Sequence, residues 1–502
     1  MTVSKDYYLN LKNGVFYTAG PTGAGPDELG HMFQAIAAAP PERLVLHFHG
    51  GLVSEEVALG AIEKTLLPTY RAAGAYPVFF VWHSFWTEVI AHNLPRIYQE
   101  KIFQQLLARL LQFVEAKLRQ KTGERGGQLE IKDQAEFLNP IQKARPDEIP
   151  FNELDQKRLS PDDELLDAEA EQFQEVLEWD DDFLDEAEAI ANALLTEAEA
   201  EQARKSRSGT LQVSRHTLMS PAVLDEIKQQ APSPGERAIF SKTLLIKKSV
   251  AILARTIKRL ATGRGHGVYP TTVEEILREL YLANVGKQVW DWMKGDTADA
   301  FGPDPAQHGG TAFLQQLNTL WQSGHQPRLV LVGHSTGAVY ICHLLAHADQ
   351  LLPPAIKFDI VFLAPACDFK LLAQTIRQYR HRIHGLRLFG MKDALETADR
   401  LVPVYPHSLL YFVSGVLEDE ADKPIVGMER FYSGAAPYPD EDYPEIKEVR
   451  DYLRQSGGMV WSVEELGPGR NSAANAHGKF DDEDPPTLKS VQHIITTGFN
   501  DE

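Results

Sequence analysis

Residues 328–348 read RLVLVGHSTGAVYICHLLAHA, so five β-type residues pass into a helical pattern across a single glycine-flanked serine. Few sequences constrain a backbone so tightly. A chain that leaves a buried strand and enters a helix within five residues must turn sharply. Glycines at Gly333 and Gly337 remove the side chains that would collide across such a turn. The serine between them, Ser335, is pushed into a strained backbone conformation with its hydroxyl outward. The helix behind it offers free N–H groups and the positive end of its dipole.

The rest of the chain supplies the layers that such a turn needs. Short apolar runs at 44–48 (LVLHF), 76–82 (YPVFFVW), 358–363 (FDIVFL) and 385–389 (GLRLF) join 328–332 as buried strands, with a weaker one at 459–463 (MVWSV). Continuous apolar runs of this length are the signature of parallel strands covered on both faces. Helical patterns fall between them at 54–67, 311–322, 338–347 and 371–380. The alternation predicts an α/β fold with a mainly parallel, doubly wound sheet. Near the N-terminus, YYLNLKNGVFYTAG reads as a hairpin turning at Asn13-Gly14.

The alternation stops after Trp82 and resumes only near Gly309, and charge marks a segment within that gap, roughly 94–264. Of a formal net charge of −20, residues 147–201 carry −19, and residues 204–264 carry +10. This predicts a first core part at 1–93, a helical insertion or cap at 94–264, and a second core part at 265–502. The insertion holds an amphipathic helix at 102–118, a polar linker at 123–150, a helix at 183–203 and a basic amphipathic helix at 238–261. Another helix is expected at 270–294. Three roles fit the charged blocks: a lid whose basic helix touches an anionic lipid surface, mutual pairing, or solvation. The rest of the chain carries −11 and is mildly acidic, and nothing resembles the basic footprint of a nucleic-acid binder. Two cysteines, Cys342 and Cys367, exclude a disulfide framework. Neither a signal pattern nor an 18-residue apolar run is present, and a cytoplasmic protein is expected.

Chemistry gathers around Ser335. A serine that attacks an acyl carbon needs donors for the developing negative charge, a base, and a carboxylate to orient that base. One donor is the N–H of Thr336. The second is expected from a loop after an early strand, where His49-Gly50-Gly51-Leu52 follows LVLHF. Its two glycines allow close approach, so the N–H of Gly51 or Leu52 is the candidate. Only two of the 17 histidines follow the last strand. His493 sits in an apolar helical pattern and reads as structural. His477 lies in a small-residue loop before a proline-started helix and is the candidate base. Asp393, the first carboxylate past GLRLF, is the candidate acid. Asp368 is the alternative, and Asp399 and Glu396 rank below both.

The order Ser335, Asp393, His477, with the GHSTG turn led by His334 and the HGG loop, resembles the α/β-hydrolase superfamily. The turn is similar to the nucleophile elbows of lipases and carboxylesterases. The resemblance covers roughly residues 5–90 and 305–502 and leaves out the insertion. It implies an α/β-hydrolase fold and a serine hydrolase that cleaves a carboxylic ester, of a lipid or another acyl group, through an acyl-enzyme. It implies no cofactor. Thioesters, amides and peptides would use the same residues, and a non-catalytic interaction protein on this fold is the other class. His343 and His347 have an i, i+4 spacing but lack the glutamate of a zinc helix. The GRGHG run at 263–267 lacks the Lys-Ser/Thr of a phosphate loop. No metal is expected.

Overall fold

The computed structural model describes residues 3–51, 54–83, 86–121, 151–156, 159–204, 217–229, 234–402 and 405–499. The expected linker 123–150 lies outside them. Eight strands form one sheet: β1 (Tyr8–Lys12), β2 (Val15–Phe16), β3 (Arg43–Phe48), β4 (Tyr76–Trp82), β5 (Arg328–His334), β6 (Phe358–Leu363), β7 (Ile383–Met391) and β8 (Met459–Ser462). Their order across the sheet is β2-β1-β4-β3-β5-β6-β7-β8. Only the β1–β2 pair is antiparallel; every other neighbour is parallel. The fold is therefore α/β with a mostly parallel sheet, as the alternating pattern predicts. The hairpin turns at Asn13 and Gly14, both at positive φ (53° and 71°), which matches the twist of the flanking strands.

Each parallel strand is covered on both faces. Leu44, Leu46 and Phe48 of β3 enter one core, and Val45 enters the other. In β5, Leu329 and Leu331 oppose Val330 and Val332 in the same way. This two-sided burial explains why the strands read as unbroken apolar runs.

The helix Gly337–Leu351 follows β5 directly, and Asp368 caps the helix Phe369–Tyr379 by accepting the Leu371 N–H at 2.7 Å. The helix expected at 54–67 runs on to Ala72, with a π-helical turn at Ile62–Leu66. The single helix expected at 270–294 is broken. Gly286, at φ +98°, separates the turns after Val268–Ile276 from the helix Lys287–Asp299. A left-handed glycine ends one helix and starts the next at no steric cost.

The insertion folds into helices Lys101–Lys121, Asp167–Glu178, Asp181–Arg204 and Pro234–Ala261. Their apolar side chains, among them Leu107, Leu111, Phe173, Ile252 and Ile257, belong to the same contiguous core as one face of the sheet. The two charged blocks meet directly at Lys242–Glu188, 2.8 Å apart. Other acids of the block pair with the first helix: Arg109–Asp180 at 2.6 Å and Lys117–Glu169 at 2.7 Å. The basic helix sends its remaining paired cations elsewhere. Lys248 meets Glu226 and Glu279, Arg255 meets Glu275 and Glu279, and Arg259 meets Glu274, Glu275 and Asp422. The helix lies between Asp181–Arg204 and Val268–Ile276, so pairing is shared between two neighbours. Leu245, Ile252, Leu253 and Ile257 are buried inside the protein. On the same helix Ile239 is exposed. Among the described residues, no helix is long and apolar enough to cross a membrane.

Candidate active site

The turn after β5 has the geometry that its sequence demands. Ser335 sits at φ +52°, a left-handed conformation that costs a non-glycine residue about 1–2 kcal/mol. Backbone hydrogen bonds to the neighbouring strand end and its loop hold it there. The Ser335 N–H donates to Leu363 O at 2.9 Å, and Ala366 N–H donates to Ser335 O at 3.0 Å. The flanking glycines are obligatory. A Cβ on Gly337 would lie 2.2 Å from Phe48 O, and one on Gly333 would lie 2.8 Å from the Gly337 backbone.

The glycine loop after β3 packs onto this turn. A Cβ on Gly50 would stand 3.1 Å from Ser335 Cβ, and one on Gly51 would stand 3.0 Å from Thr336 Oγ1 and 2.6 Å from Met293 Sδ. His49 braces the loop. Its Nε2 accepts Trp82 N–H at 3.1 Å, which leaves Nδ1–H to donate to Gly50 O at 2.7 Å. Burial drives the His49 pKa down to about 4, so it stays neutral in this role. Among the described residues, the N–H groups of Gly51 and Thr336 donate to no backbone or side-chain acceptor. They remain available to an oxyanion. Leu52, the other donor candidate, lies outside the described residues.

Ser335 and His477 line one cavity of about 330 Å³. Its apolar wall comes from Val57, Ala58, Ala61, Ile62 and Leu66 on the helix after the glycine loop, with Phe79, Phe80, Leu401 and Leu409. The π-helical turn places Ile62 and Leu66 on that wall. No described residue of 94–264 contributes to the lining.

His477 is buried, and among the described residues neither ring nitrogen has a hydrogen-bond partner. Its backbone is fixed at both ends. Asp399 Oδ2 accepts the His477 N–H at 2.8 Å, and His334 Nε2 lies 3.0 Å from the His477 carbonyl. Burial, reinforced by the neighbouring charge of His334 and opposed by Asp481, lowers the His477 pKa to about 3. The imidazole is therefore neutral and able to accept a proton. Among the described residues, no side chain hydrogen-bonds Ser335 Oγ; catalytic hydrogen bonds of this type often form only with substrate present.

The candidate acids are dispersed. Asp393 is not brought to His477. It begins the short helix Asp393–Glu396, accepts the Tyr411 hydroxyl at 2.6 Å, and lines a different cavity with Arg430 and His407. Asp368 is used as a helix cap and pairs with Lys423 at 2.9 Å. Glu396 is fully buried against the Ser408 hydroxyl, and burial raises its pKa well above the ordinary range. Asp399 is the member of this group that reaches the site. It shares the cavity with His477 and bonds its backbone.

Sequence reasoning missed Asp481, which stands four residues beyond His477. Its carboxylate lies 3.2 Å from His334 Nδ1 and 4.0 Å from His47 Nε2. Burial opposes its charge, but the His334 imidazolium outweighs that and lowers its pKa to about 2. Burial likewise works against the proton on His334, and Asp481 overcomes it, raising the His334 pKa. The acidic run FDDED after His477 was the available signal.

Elsewhere, His266, Glu274 and Asp422 cluster closely enough to hold a cation. Arg259 already lies against both carboxylates and supplies the compensating charge. His343 and His347 join no cluster of ligating side chains among the described residues. No protein-family model, curated protein or solved structure matches this chain.

Proposed function

We propose that the chain is a serine hydrolase of the α/β-hydrolase type that cleaves a carboxylic ester. The observation that carries this reading is the left-handed Ser335 at the end of a central parallel strand, with a glycine loop packed against it and a neutral histidine in the same cavity. A strained serine at this corner has no evident packing purpose, and strain of this kind is concentrated at functional sites.

In this reading, Ser335 Oγ attacks the acyl carbon while His477 takes its proton. The negative oxygen of the tetrahedral intermediate is held by the N–H groups of Thr336 and Gly51. His477 then returns the proton to the departing alcohol, leaving an acyl group on Ser335. A water molecule, deprotonated by His477, releases the acid and restores the serine. Asp399 takes the orienting role that the sequence assigned to Asp393, because it shares the cavity and is already bonded to the base's own backbone. At about 330 Å³ the cavity falls at the small end of ligand sites, roughly 300–1,000 Å³, and its largely apolar wall fits an acyl chain.

Thioester or amide cleavage would use the same groups, since the fold does not fix the leaving group. The test is turnover of 4-nitrophenyl esters of increasing chain length by the wild type and by Ser335→Ala. Turnover confined to the wild type supports the assignment; equal turnover by the variant refutes it.

A further inference from the structure

His334 has an oxygen at each end of its ring. Nδ1 faces the Asp481 carboxylate at 3.2 Å, an ion-pair contact, and Nε2 faces the His477 carbonyl at 3.0 Å. A neutral imidazole carries one N–H, so either tautomer would point a lone pair at one of these oxygens. The Nδ1 contact lacks hydrogen-bond geometry and acts through charge, so a proton on Nδ1 turns a lone-pair repulsion into an ion pair while Nε2–H keeps the carbonyl. The remaining groups around it agree. Asp482 adds negative charge from the same loop. His47, on β3, is bonded at Nδ1 to the Tyr70 hydroxyl at 2.8 Å, and burial keeps it neutral. His49, also past β3, is neutral in its bracing role, and His477 itself is neutral.

We propose that His334, as an imidazolium bridging Asp481 and the His477 carbonyl, is the positioning residue for the catalytic base, and that loss of its proton ends activity at alkaline pH. The proposal rests on the reading of Ser335 and His477 as nucleophile and base. His334 touches neither reacting atom. It acts by clamping the peptide of His477 to the residue immediately before the nucleophile, opposite the clamp that Asp399 applies to the His477 N–H. When the proton leaves, one of the two contacts turns repulsive and the loop carrying the base is released from the turn carrying the serine.

The consequence is an unusual pH profile. His477 is deprotonated down to about pH 3, so its titration does not limit activity near neutrality. The His334 pKa is raised above the ordinary 6.5. The protonated form is the active one, so activity is retained below that raised value and falls about tenfold per pH unit above it.

The experiment measures kcat/KM for 4-nitrophenyl butyrate from pH 5 to pH 10, together with the rate of Ser335 labelling by a fluorophosphonate, for the wild type, His334→Gln and Asp481→Asn. The wild type should show an alkaline limb in both readouts. Glutamine keeps an uncharged donor for the His477 carbonyl; this variant should be about tenfold slower at pH 6 and lack the limb. Asp481→Asn removes the anion that holds the proton, so its limb should move to lower pH. A wild-type profile that rises to a plateau through pH 9, or a limb unchanged in both variants, would overturn the positioning role while labelling of Ser335 stands. No labelling at any pH would instead overturn the hydrolase reading, and the proposal with it.

Discussion

Arg259 is one point at which the inserted helices are tied to the core, and removing it has a calculable cost. Its guanidinium, on the helix Pro234–Ala261, contacts Glu274 at 2.5 Å and Glu275 at 3.0 Å, and also bonds Asp422. All three carboxylates are almost fully buried. Burial disfavours the charge on Glu274, yet the His266 ring and the Arg259 cation hold its pKa down to about 2 from an ordinary 4.5. At about 1.36 kcal/mol per pH unit, that gap is worth about 3 kcal/mol of stability. Because the folded pKa is the lower one, this stability is present above pH 4.5 and is lost as pH falls toward 2. Arg259→Met leaves buried acids without their counter-charge, and breaking such a pair costs about 3–5 kcal/mol. The variant Arg259→Met/Asp422→Asn/Glu274→Gln removes the stranded charges and should recover more than half of the loss. Urea unfolding followed by far-ultraviolet circular dichroism at pH 7 measures both. A single variant within about 1 kcal/mol of wild type, or a triple variant no better than the single, would refute this account of the network.

Two further outcomes concern the cavity. Asp399→Asn should lower kcat by about 10⁴-fold, the scale seen when the orienting acid of a serine triad is neutralised, whereas Asp393→Asn should leave ester turnover within a few-fold. Steady-state kinetics on one short ester distinguishes them. Ala61→Phe fills the apolar wall beside Ile62, so it should depress turnover of long acyl esters while sparing acetate; equal loss across chain lengths would place the acyl chain elsewhere.

The strands were readable because a parallel strand buried on both faces has nowhere to put a polar residue. Tyr76–Trp82 and Phe358–Leu363 match the apolar runs residue for residue. The serine turn was readable for a local reason, since its glycines are forced by contacts within the turn and with Phe48. Which carboxylate lies beside His477 was not. That depends on how the chain folds after β7, where a one-turn helix carries Asp393 toward Tyr411 and brings Asp399 back to the cavity. Proximity to the strand end does not bring Asp393 to the loop of His477. The contact between His334 and Asp481 joins positions far apart in sequence, and no spacing rule encodes it. The ion pairs of the basic helix escaped for the same reason. Opposite charge in adjacent blocks made mutual pairing one of three roles, whereas packing also set that helix against Glu274, Glu275 and Glu279.

The central claim is that Ser335 is an activated nucleophile. Its most direct test is incubation of the native protein with a fluorophosphonate, followed by intact-mass measurement and peptide mapping. The account predicts one adduct per chain, located on Ser335, and none on Ser335→Ala protein that retains the wild-type circular dichroism spectrum. An adduct on another residue, or an unmodified native protein, would contradict it.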